Sequence, residues 1–279
     1  MQIRFWGVRG SIPTPGPDTV EIGGNTSCVE VRCGEALLVF DGGTGLRGLG
    51  QKLVAEGPRT VHLFFSHVHW DHIQGFPFFA PAFVAGNEIH LYGGSSEDQT
   101  LEQSLGAQMT HPRFPVLLSQ MSATLHFRDL RASDVVRLDD GQGTPVELRL
   151  TRGNHPNGVH VFRVDYRGKS VVYATDTEHF DHVDDRIATL AKGASVLIYD
   201  SQYTPEEYAG AGSTGSKQGW GHSTFEAGVR LAKAAGVERY VLYHHDPAQS
   251  DHAVREKERR AKELFPNALA AYEGLVLRP

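Results

Sequence analysis

The sequence predicts an α/β (α+β) chain: two mixed β-sheets packed face to face, with helices outside. Three observations carry this. Short apolar runs of strand length crowd the first half, mostly with no helical pattern between them. Strands and helical patterns alternate in the second half. No repeat, linker or low-complexity tract divides the chain, so residues 1–279 are expected to form one domain. Two layered sheets satisfy all three better than a doubly wound parallel sheet.

The strands expected in order are Ile3–Trp6, Val29–Arg32, Leu37–Phe40, Val61–Phe65, Ile89–Tyr92, Val146–Thr151, Val159–Tyr166, Ser170–Thr175, Val196–Tyr199 and Tyr240–Tyr243. Arg167-Gly168-Lys169 joins two of them as a hairpin turn, Gly168 supplying the positive φ. Helical patterns fall at Leu46–Ala55, Glu97–Met109, Val183–Ala191, Thr224–Ala235 and Asp251–Leu264. For the fourth, Ser223 is the expected N-cap, with Glu226 closing a capping box. Residues 95–135 contain Gly106, Pro112 and Pro115 and are expected to include a lid or insertion beside the site.

Composition narrows the class. Apolar residues make up 40% and charged residues 22%, the profile of a soluble globular protein. The formal net charge of -6 argues against a large nucleic-acid footprint, which needs clustered Lys and Arg. The helix at Asp251–Leu264 carries Arg255, Lys257, Arg259, Arg260 and Lys262, but Glu256, Glu258 and Glu263 interleave, so it reads as a solvated face. Two cysteines, Cys28 and Cys33, suit reduced residues of a cytoplasmic protein. No signal-peptide pattern or membrane-length apolar run is evident, so no membrane partner is expected. A homodimer is the default assembly.

The chemistry gathers at His67-Val68-His69-Trp70-Asp71-His72, directly after a buried strand. His67 and His69 alternate by two and can face one side, while Asp71 and His72 lie past the turn and can serve a second ion. Imidazole and carboxylate are ligands for Zn²⁺, Mn²⁺ or Fe. Further donors stand where later strands give out: His155 in Gly153-Asn154-His155-Pro156, Asp176 after Tyr173-Ala174-Thr175, and His244 after Tyr240-Val241-Leu242-Tyr243. His245 is adjacent and also able to ligate; the spacing to Pro247 favours His244. His160, His179 and His182 are read as non-ligands, His179 being the one closest to the site.

This donor series, from the opening Gly7-Val8-Arg9-Gly10-Ser11 to the His-x-x-Pro of His244–Pro247, resembles the metallo-β-lactamase superfamily over nearly the whole chain. The resemblance implies an αββα sandwich with two divalent metal ions, zinc first and manganese or iron as alternatives, in a cleft at one end of the sheets. It assigns His67, His69 and His155 to one metal, Asp71, His72 and His244 to the other, and Asp176 to both. Asp41, in Asp41-Gly42-Gly43-Thr44-Gly45, would orient a ligand His.

Asp176 stands where the β-lactamases carry Cys, and His69 where flavodiiron oxidoreductases carry Glu, so lactam and redox chemistry are disfavoured. Gly221-His222-Ser223-Thr224 resembles the His-Ser-Thr element of ribonuclease Z and of cyclic-phosphate phosphodiesterases. There the His protonates the leaving oxygen, supported by an acidic strand end; Asp200 in Leu197-Ile198-Tyr199-Asp200 fills that place. The expected catalytic residues are therefore Asp71, His222 and Asp200. The expected function is a phosphodiesterase using a dinuclear metal-bridged hydroxide on a small cyclic nucleotide or cyclic phosphate. The alternatives are a tRNA 3′-processing endonuclease, a thioester or lactone hydrolase on the same metal pair, and a metal-loaded sensor without turnover.

Overall fold

The structure is a computed structural model describing residues 1–94, 99–211 and 215–279. Its strands are β1 (Gln2–Gly7), β2 (Cys28–Cys33), β3 (Ala36–Phe40), β4 (Thr60–Phe64), β5 (Glu88–Gly93), β6 (Thr124–Asp129), β7 (Val135–Asp139), β8 (Pro145–Arg152), β9 (His160–Tyr166), β10 (Lys169–Ala174), β11 (Val196–Asp200), β12 (Tyr240–Tyr243), β13 (Ala268–Ala270) and β14 (Val276–Leu277). The helices are α1 (Gly45–Glu56), α2 (Trp70–Ile73), α3 (Leu101–Gln108), α4 (Asp185–Ala191), α5 (Pro205–Ala209), α6 (Phe225–Ala235) and α7 (Asp251–Leu264).

Among the described residues the strands form two seven-stranded sheets, ordered β14-β1-β2-β3-β4-β5-β6 and β13-β12-β11-β10-β9-β8-β7. Both are mixed, as expected. In the first, β1–β3 are antiparallel and β3–β6 parallel. In the second, β7–β10 are antiparallel and β10–β13 parallel.

Strand β3 shows why the sheets stack. Leu38 and Phe40 point into the core between the sheets with Phe64, Phe162 and Tyr173. Leu37 and Val39 point outward into a second core with Leu46, Leu49 and Leu53 of α1. A period of two that is apolar on both faces belongs to a strand covered on both sides. In the second sheet, Val229, Leu231 and Ala232 of α6 and Val254 and Ala261 of α7 join the same core. The parallel segments β3–β4 and β10–β12 end at one rim, where the expected site residues follow.

Several local expectations are corrected. The N-cap of α6 is Thr224, whose side chain accepts from Ala227 N, while the Ser223 hydroxyl lies 3.1 Å from His179 Nδ1. At the hairpin both Arg167 and Gly168 are left-handed, the type I′ geometry, so glycine is only half of the turn. Lys257 is not on the solvated face of α7: it is buried, with Nζ 2.6 Å from both Ser201 O and Gln249 Oε1. Cys28 and Cys33, by contrast, are free as expected, buried and on opposite faces of β2.

Of the helix expected over 97–109, positions 97 and 98 lie outside the described residues; α3 begins after Thr100, which closes a capping box with Gln103. Of the stretch expected as a lid or insertion, residues 99–135 hold α3 and β6, and β6 is the edge strand of the first sheet. Among the described residues no helix is long and apolar enough to cross a membrane.

The loop after α2 packs backbone to backbone against the loop after β3. Gly75 N donates to Gly42 O and Gly42 N to His72 O, and a Cβ on Gly75 would fall 2.0 Å from Gly43 O. Gly75→Ala is therefore expected to lower stability by about 1–3 kcal/mol. Gly48→Ala in α1, where the added carbon meets Trp6 at an ordinary 3.5 Å, should raise it by about 0.5–1 kcal/mol. Urea midpoints compare the two; equal effects would contradict the packing described.

Candidate metal centre

Both sheets contribute to the rim. From the first come His67 and His69 after β4, then Asp71 and His72 in α2. From the second come His155 after β8, Asp176 after β10, Asp200 at the end of β11 and His244 after β12. Asp176 and His244 are left-handed at φ 52° and 60°, as is Asp41 after β3 at 60°. A left-handed residue turns the chain sharply where the strand stops, and side chains other than Gly rarely accept it without a compensating role.

The donor atoms gather in two sets. Those of His67, His69 and His155 lie within 4.8 Å of one another, as do those of Asp71, His72, Asp176 and His244. Asp176 faces both. Its Oδ1 is 3.2 Å from His72 Nε2 and from His244 Nε2. Its Oδ2 is 3.8 Å from His67 Nε2 and 3.9 Å from His155 Nε2. His245 turns the other way, into the interior, with Nε2 donating to Ala271 O at 3.0 Å. His179 lies against Ser223 and Tyr208, and His182 stacks on Phe180, outside both sets.

The inward nitrogens are aimed by the outward ones. His72 Nδ1 is 2.8 Å from Asp41 Oδ2, His244 Nδ1 2.9 Å from Gln202 Oε1, and His155 Nδ1 donates to Gly221 O at 2.8 Å. His67 Nδ1 meets Ser66 Oγ at 3.0 Å. Asp71 Oδ2 accepts from Ser11 N at 2.7 Å. Such partners fix the ring plane and tautomer of an imidazole that ligates through its other nitrogen.

Three observations test whether the residues suit metal ions. His67 Nε2 is buried without a hydrogen-bond partner. His72 Nε2 lies 3.2 Å from His244 Nε2, and His155 Nε2 lies 3.0 Å from His69 Nδ1. Two imidazole nitrogens so placed cannot both carry protons, and donors about 2.0–2.1 Å from a shared tetrahedral Zn²⁺ would be about 3.3 Å apart. Third, the carboxylates of Asp41, Asp71 and Asp176 converge on His72. Burial opposes charge on His72, yet Asp176, Asp71 and Asp41 together raise its pKa well above the usual value. The site demands positive charge, and the donor set fits two cations.

Elsewhere burial, then the charge of His72, holds His67 well below the usual imidazole range. Burial opposes the charge of Asp176, but His244, His72 and His67 hold its carboxyl well below the usual range. Beside the second set, His222 Nδ1 is 2.9 Å from Asp200 Oδ2 and 3.8 Å from Asp176 Oδ2, and its ring stacks on His244 at 5.0 Å. Burial opposes a charge on His222 too, but Asp200 outweighs it by charge and hydrogen bond, lifting the pKa to about 9.

Sequence reasoning missed the supports. Gln202 orients His244, and the Tyr173 hydroxyl donates to Asp41 Oδ2 at 2.7 Å. Glu178 accepts from the Tyr208 hydroxyl and from the backbone of Gly219 and Gly221, fixing the loop that presents His222. No local pattern marks such residues, because their partners are distant in sequence.

The family profile described as a Beta-lactamase superfamily domain matches residues 37–245, more than half of the chain. The ribonuclease Z of Bacillus subtilis (strain 168) is 22% identical over 99% of this chain and 98% of its own length. Among solved structures, Zn²⁺-bound PqqB from Methylobacterium extorquens superposes with a TM-score of 0.73 at 14% identity, covering 100% of both chains. A diphosphatase of the PhnP family superposes at 0.70 and 17% identity, covering 100% of this chain and 97% of its own. The two-sheet architecture is that of these structures, and the profile reaches from before His67 to beyond His244; the chain belongs to the metallo-β-lactamase superfamily of hydrolases.

Proposed function

We propose that the protein is a metal-dependent phosphodiesterase acting on a small cyclic nucleotide or cyclic phosphate, and the observation that carries this is the His222–Asp200 pair beside the donor sets. In this reading His67, His69 and His155 hold one divalent ion, Asp71, His72 and His244 the other, and Asp176 lies between them. When bound, the ions supply an acidified water and neutralise phosphoryl charge.

The chain's own residues do the rest. Attack on a phosphodiester breaks a P–O bond and leaves charge on the departing oxygen, which needs a proton. Asp200 engages His222 Nδ1, so the proton available for donation is on Nε2, which has no protein partner among the described residues. Asp71 is a poor base: burial opposes its charge, but His72 and hydrogen bonds from His244 and His72 hold its carboxyl far below the usual range. Its part is to bind and orient.

The surroundings suit a small substrate. A cleft of about 570 Å³ opens beside His155, lined also by Gly221, His179, Phe180 and Tyr208, and offers room for part of a small ligand next to the donors. The net charge is -6. The alignment to the Bacillus subtilis ribonuclease Z runs over 315 positions, more than this chain's 279 residues, so that relative carries segments lacking here. The second reading, tRNA 3′-end processing, is favoured by the relatives named ribonuclease Z.

Three measurements follow. His222→Ala is expected to lower hydrolysis of 2′,3′-cyclic AMP, whose leaving alkoxide needs a proton, by about 10²–10⁴-fold with metal content unchanged, and to affect bis(p-nitrophenyl) phosphate, whose p-nitrophenolate departs unprotonated, far less; unchanged turnover of the cyclic nucleotide would remove His222 from the mechanism. A proton donor is lost as pH rises through its pKa, so the rate should fall on the alkaline side. Asp200→Asn removes the charge that raises His222 and should move that limb to lower pH, and a limb that stays in place would contradict the pairing. Finally, a gel shift and cleavage assay with precursor tRNA at moderate salt should show neither binding nor processing. Specific 3′ cleavage would establish the second reading instead.

A further inference from the structure

Away from the rim, three parallel strands of the first sheet repeat one tripeptide pattern, apolar–His–apolar: Val61-His62-Leu63 in β4, Ile89-His90-Leu91 in β5 and Leu125-His126-Phe127 in β6. The strands are paired in register, so His62 lies beside His90 and His90 beside His126. The rings stack, with centroids 4.9 and 4.5 Å apart and planes inclined by 21° and 18°. Glu88, two residues before His90 and so on the same face, brings Oε2 to 3.8 Å from His90 Nε2. Donor atoms of Glu88, His90 and His126 all lie within 4.8 Å of one another. Glu88 and His126 are exposed and His90 half-buried, so an ion reaches them without opening the fold.

We propose that Glu88, His90 and His126 form a second metal site, separate from the catalytic rim, for a borderline divalent cation such as Zn²⁺. Two imidazoles and a carboxylate are a donor set this class of ion accepts, with water completing the coordination. Tetrahedral ligation needs donors about 3.3 Å apart. The donors therefore have to close by at most about 1.5 Å, within reach of rotations about the exposed Glu88 and His126 side chains. His62 is the inner support: it stacks on His90 and hydrogen-bonds the Tyr92 hydroxyl at 3.1 Å. Glu88, His90 and His126 share no residue with the donor sets at the rim. Burial, then the neighbouring His126, keeps His90 below the usual imidazole pKa, leaving its lone pair free for a cation at neutral pH.

Equilibrium dialysis against Zn²⁺, with bound metal counted per chain, tests the site. The unaltered protein is expected to retain one Zn²⁺ more than the double variant His90→Ala/His126→Ala, with hydrolysis of bis(p-nitrophenyl) phosphate equal in the two. Equal metal counts overturn the proposal. Should the double variant fail to fold, Glu88→Gln and His126→Gln change only exposed side chains. Each is expected to weaken binding of the additional Zn²⁺ by about tenfold or more while the circular-dichroism spectrum stays unchanged, and unaltered affinity in both overturns it equally.

Discussion

The site depends on one buried carboxylate. Asp41 accepts from Ser66 N at 2.7 Å, Ser66 Oγ at 2.8 Å and the Tyr173 hydroxyl at 2.7 Å, and His72 Nδ1 lies 2.8 Å from it. Ser66 and His72 belong to the loop and helix after β4, whereas Tyr173 comes from β10 in the other sheet. A buried carboxylate is stable only when its oxygens are satisfied, so these contacts are obligatory. Satisfying Asp41 sets the separation of the two sheets at the rim and the ring plane of His72 together. That couples the fold's main interface to the site's geometry.

The same logic runs outward. Gln202, Gly221 O and Ser66 each occupy the far side of a donor imidazole, and Ser11 N holds the Asp71 oxygen that faces His72 and His244. Gln202 is itself held: Lys257 Nζ lies 3.3 Å from its carbonyl, and Gln249 Nε2 donates to the same oxygen at 3.1 Å. Such pre-orientation means little rearrangement on ligation, and ordering carried out by the fold is not charged again on binding.

Much of this was legible in the sequence, for identifiable reasons. His67, His69, Asp71 and His72 fall within one short segment, and a strand followed by such a cluster is a local signal. Asp176 and His244 were legible because each follows a buried apolar run, and strand ends gather at rims. What could not be read is what depends on distant partners: Gln202 behind His244, Tyr173 over Asp41, Glu178 bracing the His222 loop. The strands missed, β6, β7, β13 and β14, are short or carry an exposed face, so their apolar content is diluted. Lys257 misled for a different reason. Its neighbours on α7 are solvated, and only the loops packed over that helix reveal that this lysine faces inward.

The left-handed residues at the strand ends carry a consequence for how such a protein changes over generations. At Asp176 and His244 the backbone conformation is the one glycine adopts most readily. Replacing either of them by Gly would relax the chain locally while deleting a charge or an imidazole from the site. Selection for a sturdier fold and selection for turnover therefore pull these two positions in opposite directions. A lineage that ceased to need the reaction would be free to lose the chemistry there first, keeping the sandwich intact around a silent rim.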